Sequence, residues 1–135
     1  MTEDLTSPGF RRKLVPQHFL NYAHDTIMAK TVKESDWRAF RDSLVEWRER
    51  YLEAVTEQLA DLLRDGERTP TERFWETKER IDKEGKILRN CLDGFSRSKM
   101  EMHLDMMYQY GLIGDKDLER FSEELRDKML RRHSP

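Results

Sequence analysis

Between Trp37 and Leu62, large apolar side chains recur every three or four positions: Trp37, Phe40, Leu44, Trp47, Tyr51, Ala54 or Val55, Leu59 and Leu62. That spacing places all of them on one stripe of an α-helix, and a strand's period of two cannot produce it. A single helix of ~30 residues, ~45 Å long, is expected. Ser35 is the expected N-cap, with Asp36 in the first turn, where the positive end of the helix favours a carboxylate. Charged residues fill the outer positions, with opposite signs four apart, as in Glu46 and Arg50. Gly66 is expected at the left-handed position that closes the helix.

Further helices follow by the same reasoning. Thr69-Pro70-Thr71-Glu72 has the form of a capping box with proline at the first helical position. The helix it opens carries Phe74, Trp75, Ile81 and Leu88, with Ile87 and Leu92 as further apolar members, and ends at Asp93-Gly94. Gly85, in its middle, marks a kink or a close helix contact. Ser98-Lys99-Met100-Glu101 suggests a third helix, carrying Met100, His103, Leu104, Met107 and Tyr108 and ending at Gly111. Asp115 is the expected cap of a fourth, with Leu118, Phe121, Leu125 and Met129 as its seam.

The fold class is therefore all-α: one long amphipathic helix with shorter helices around it. Charged residues (39%) outnumber hydrophobic ones (36%), so the small apolar content has to be arranged efficiently, which long amphipathic helices do. Residues 1–30 form an N-terminal arm with Pro8, Gly9 and Pro16 and a short helix expected over Gln17 to Lys30; residues 31–135 form a single helical domain. A compact chain of this size is ~37 Å across, shorter than its longest helix. A second copy packed antiparallel across a two-fold axis would cover the stripe, so a homodimer seam is expected at Trp37, Phe40, Leu44, Trp47 and Tyr51.

Several chemistries find little support in the residues. The single cysteine, Cys91, cannot form an internal disulfide. The first seven residues lack the pattern of a secretory signal and no apolar run is long enough to span a bilayer, so a cytoplasmic location and no membrane contact are expected. No metal is expected, because the histidines are scattered and no HExxH or paired-cysteine motif is present. Met100, Met102, Met106 and Met107 could suit a soft metal, but Met100, Leu104 and Met107 have helical core spacing. No cofactor motif occurs. Cys91, Ser96 and Ser98 lie near His103 in sequence without a nucleophile elbow, so no enzymatic activity is expected. A net charge of -2 argues against general nucleic-acid binding. The alternative is a DNA-binding regulator using the helices near 98–130 as a helix-turn-helix. The last of these would begin Asp115, Lys116, Asp117, Glu119, which repels phosphate.

Protein binding remains. Of the adjacent aromatics Phe74 and Trp75, one must point away from the main stripe of its helix. Trp75 is the expected contact residue, with Arg73, Glu76, Lys78 and Glu79 as a polar rim.

From about Leu44 to Lys128 the chain resembles the fluorescence recovery protein family of bacteria. The likeness rests on Trp47-Arg48 and Tyr51-Leu52-Glu53 in the long helix and on Phe74-Trp75 opening the next. It continues with Asp93, Arg97-Ser98, Tyr110-Gly111-Leu112-Ile113 and Asp117-Leu118. The resemblance implies an all-α homodimer without enzymatic activity that binds a partner, in that family a carotenoid-carrying photoprotective protein. Trp75 matches a contact tryptophan of the family. Lys78 and Glu79 stand where the family has histidine and aspartate, and Gly85 or Lys86 falls where it has arginine. A different partner protein is therefore expected.

Overall fold

The computed structural model describes residues 32–135, and the expected N-terminal arm over 1–30 lies outside the described residues. The fold is all-α. Among the described residues four α-helices follow one another: α1 (Glu34–Arg64), α2 (Pro70–Leu92), α3 (Met100–Tyr110) and α4 (Glu123–Arg132), with a 3-10 turn at Asp117–Arg120 before α4.

The long stripe folds as one uninterrupted helix of 31 residues. Its first half carries the core. Phe40, Leu44 and Trp47 pack with Cys91 of α2 and with Met100, Leu104 and Met107 of α3. Leu112 and Ile113 of the connector, Leu118 and Phe121 around the 3-10 turn, and Leu125 and Met129 of α4 complete it. Trp37 and Tyr51 are half-buried against the same cluster. This corrects the expected dimer seam at three of its five residues: Phe40 and Trp47 are 0% and Leu44 is 8% exposed within the single chain, so the chain itself covers them. The periodicity identified residues that share a face, and the chain's own last third covers that face.

Buried polar groups fix how the elements dock. Asp36, at the start of α1, accepts bonds of 2.7 Å from both the backbone N–H and the hydroxyl of Ser122, at the start of α4. The same hydroxyl accepts from the Leu125 N–H and so caps α4. Asp117 accepts from Trp47 Nε1 at 3.2 Å, from both terminal nitrogens of Arg50, and from the Gly114 N–H at 2.9 Å.

Helix ends follow the sequence in part. The Thr69 box forms in both directions, between its hydroxyl and the Glu72 N–H and between its own N–H and the Glu72 carboxylate. Thr69→Ala is expected to cost about 1 kcal/mol in urea unfolding. Gly111 closes α3 at φ 84° and Gly94 follows α2 at φ 69°, both left-handed. Elsewhere the boundaries move. Lys33 rather than Ser35 precedes α1, and Lys99 rather than Ser98 precedes α3, without a side-chain cap in either case. Asp65 ends α1 in an extended conformation, so Gly66 is not a left-handed closure. Asp115 does not cap a helix; it accepts from the Tyr108 hydroxyl. α2 runs through Gly85 unbroken, and a Cβ added there would meet only the Arg89 guanidinium, at 3.5 Å.

Candidate functional site

Beyond Trp47, the only buried residue of α1 is Val55. From there to its end the helix pairs with α2 to form an antiparallel hairpin that reaches past the core. Tyr51 donates to Glu84, Arg80 to Gln58, and Arg73 to the Leu63 carbonyl oxygen at 3.1 Å, which fixes the register of the two helices. Glu84, almost wholly buried, also takes Arg80 Nε at 2.8 Å. Burial and the bond to Glu84 push the Tyr51 phenol up from its ordinary range. Among the buried side-chain atoms described, Arg73 Nε and the Thr77 hydroxyl make no hydrogen bond.

The hairpin has two unlike faces. One carries a groove of about 740 Å³, whose walls include Gln58, Asp61, Leu62, Glu76 and Glu79. Its charges are largely satisfied internally: Arg68 bridges Asp65 at 2.6 Å and Glu76 at 2.9 Å, and Arg80 pairs with Glu84. Such a lining offers no single-signed cradle for an anion or a metal.

The other face follows from the register. Leu52, Leu59, Phe74 and Ile81 each come one position after a residue that bridges the two helices: Tyr51, Gln58, Arg73 and Arg80. One position is a 100° turn, and in an antiparallel pair of right-handed helices that turn brings both stripes to the same side. Val45 and Leu63 extend the α1 stripe at helical spacing, and Leu88 extends that of α2. The result is an apolar strip in which Val45 (59%), Leu63 (50%), Phe74 (58%) and Ile81 (51%) remain exposed. Patches of this kind mark contact surfaces. Sequence reasoning missed it by tracking one stripe along α1, although the recurrence of Val45, Leu52 and Leu59 at intervals of seven was visible.

Trp75 lies beside this strip, 59% exposed, with its ring 4.9 Å from Phe74 in an edge-to-face arrangement. Lys78 is exposed and paired with Asp82 at 2.8 Å, and Glu79 is exposed. Arg73 departs from the expected rim: it is half-buried and turned back onto α1 through the Leu63 carbonyl. The structure thus brings Trp75, Lys78 and Glu79 to one accessible surface and leaves Arg73 to close the hairpin.

The residues weighed for other chemistry have structural places. His103 is buried with Nδ1 2.7 Å from the Cys91 carbonyl oxygen, a contact suited to an Nδ1–H donor. Burial pushes the Cys91 thiol up to about 11, the opposite of what activates a nucleophile. Met100 and Met107 are in the core. α4, the recognition helix of the helix-turn-helix alternative, opens with Glu123 and Glu124, and its cap is engaged by Asp36. No helix among the described residues is long and apolar enough to cross a membrane. Comparison with known protein families, with curated proteins and with solved structures gives no match.

Proposed function

We propose that the chain is a non-enzymatic helical regulator or adaptor that dimerises and acts by binding another protein, in the manner of the fluorescence recovery protein family it resembles. One observation carries the reading: Phe74 and Trp75 stand more than half exposed on a helix whose first turn is rigidly capped. Two large aromatics left in water forgo burial worth roughly 1.5–3 kcal/mol each, and their place on a firm helix limits the entropy lost on docking. Tryptophan in such a setting is the side chain most often found at the energetic centre of a protein interface. Lys78, Glu79 and Asp82 supply a polar rim around it.

The test is site-specific photo-crosslinking from position 78 in cells. The expected result is a discrete heterologous adduct that Trp75→Ala reduces at least tenfold while the circular dichroism spectrum is unchanged. The same adduct at full yield with Trp75→Ala would refute the site, and no adduct other than the chain itself would refute the adaptor reading.

A further inference from the structure

We propose that the N-terminal arm of this chain docks on its own helical domain, laying Phe19, Tyr22 and Ile27 along an apolar path that runs from Trp37 and Phe95 to Val45 and Leu88. The inference is independent of the partner site at Trp75, which this arrangement leaves open.

The apolar strip of the hairpin does not end at Val45 and Leu88. On α2, Leu92 follows Leu88 at helical spacing and is half-buried. Beyond it Phe95, 38% exposed, leans on Trp37 with ring centres 6.3 Å apart and on Phe40 at 5.8 Å. The loop that carries Phe95 crosses α1 on the strip's own side. Arg97 of that loop pairs with Glu34 and covers the Trp37 ring at 5.5 Å. Glu34, Arg38, Arg41 and Val45 are three or four positions apart and share one side of α1. Apolar surface therefore continues from the strip to the head of α1, where Val32 packs against the core. That is where the arm joins the domain.

The point of attachment fixes what the arm can reach. A segment that turns back before Val32 runs antiparallel to α1. The stretch from Val32 to Val45 covers ~20 Å, and the helix that the sequence predicts over Gln17–Lys30 would be ~21 Å long. Phe19 then comes to the height of Val45, with Tyr22 and Ile27 between it and Trp37. Together with Ala23 these three occupy one side of that predicted helix. Tethering at Val32 keeps the arm at an effective concentration on the order of millimolar, so a modest contact suffices.

Charge selects this segment over another occupant. Asp25, the one acid between Gln17 and Lys30, falls between the heights of Arg38 and Arg41. Arg11, Arg12 and Lys13 precede Phe19 by six to eight positions, which carries them ~9–26 Å further, according to how extended the chain is. That distance spans the heights of Tyr51 to Leu62. The outer edge of α1 there carries Glu53 and Glu57, both exposed and without an ion pair among the described residues. The acids nearer the core on that edge are already taken, Glu46 by Arg120 and Glu49 by Arg48. The arm's acid and its basic cluster thus each meet the opposite sign.

Photo-crosslinking within the full chain tests the docking. Phe19, which is no part of the core, is replaced by p-benzoylphenylalanine, and the adducts are mapped by mass spectrometry at low and high protein concentration. The expected adduct has the mass of a single chain, joins position 19 to the stretch around Val45 or Leu88, and forms in a yield independent of concentration. An adduct found only at twice the chain mass would put another copy's arm there and overturn the proposal, as would the absence of any adduct in α1 or α2. Tyr22→Glu combined with Ile27→Glu is expected to lower the yield roughly tenfold or more, because both side chains lose their apolar contact. A yield that this variant leaves unchanged would mean that the arm only brushes the domain, and would overturn the docking. Glu53→Lys combined with Glu57→Lys is expected to lower the yield roughly two- to threefold at low salt and not at high salt. No loss at low salt would overturn the charge pairing that sets the arm's direction.

Discussion

Replacing Trp47 with alanine is expected to lower the unfolding free energy by about 3–5 kcal/mol, the range for deleting a buried large aromatic. The indole is fully enclosed by its own chain. Its ring lies 6.3 Å from Phe40 and 6.2 Å from Phe121, with the Arg120 guanidinium 6.0 Å from its centroid. Removing it leaves a cavity where α1, α4 and the 3-10 turn converge, and deprives Asp117 of a donor. A domain of this size has ~5–15 kcal/mol in total, so the loss is a large share of it. In urea the midpoint should fall with little change in slope, and the melting temperature should drop by more than about 10 °C. Trp75→Ala, at an exposed position, should shift stability by no more than about 0.5 kcal/mol. The contrast distinguishes a core stripe from an interface stripe. A cost under about 1 kcal/mol at Trp47 would mean that the chain does not cover it.

The pair of tryptophans also shows what the sequence could and could not convey. Spacing of three and four was enough to place Trp47 on a continuous helical stripe, because side chains on one face are fixed by local geometry alone. What lies against that face is set by contacts tens of residues away, from Met100 to Met129, and spacing carries no information about those. α1 does outrun the core. Its surplus lies beyond Trp47, where α2 folds back beside it, and most of the α1 side of the apolar strip, Leu52 to Leu63, lies on that stretch. Caps made by neighbours in sequence, at Thr69 and Gly111, were legible for the same local reason. The opening of α4 was not. Leu118 and Phe121 are three apart, a spacing that serves a 3-10 turn as well as an α-helix. The turn is held by Asp117 reaching across to Trp47 and Arg50, and α4 waits until Ser122 supplies a cap. Trp75 was legible as an exposed aromatic because its neighbour Phe74 cannot share its direction, whereas Arg73 looked like rim until the register of the hairpin turned it inward.

Asp117→Ala is expected to destabilise the fold by about 2–4 kcal/mol and Asp117→Asn by less, and the two should differ from wild type in their pH dependence. The carboxylate holds together parts of the chain distant in sequence. It takes the buried Trp47 Nε1, the Gly114 N–H and both terminal nitrogens of Arg50, while Arg50 also donates to the Leu112 carbonyl oxygen at 2.9 Å. Alanine leaves the enclosed indole N–H and the Gly114 N–H without an acceptor, each costing roughly 1–3 kcal/mol if no water replaces it. The Arg50 side chain, half exposed, can turn to solvent and limits the total. Asparagine keeps an acceptor for one of these donors but gives up the charge. Burial alone would raise the Asp117 carboxyl, yet the Arg50 guanidinium, the Gly114 N–H and the Trp47 indole outweigh it and hold the group below its ordinary range. The unfolded chain therefore binds a proton at this residue before the folded chain does. The stabilisation is complete above an ordinary aspartate pKa of about 4 and is lost as pH falls from there through the lower folded value. Urea midpoints measured from pH 7 down to about pH 3 should fall less steeply for Asp117→Asn than for wild type, so the two curves converge in acid. Parallel curves would show that the carboxylate has no more favourable setting in the folded chain than in the unfolded one, and that hydrogen bonding alone holds the connector to α1.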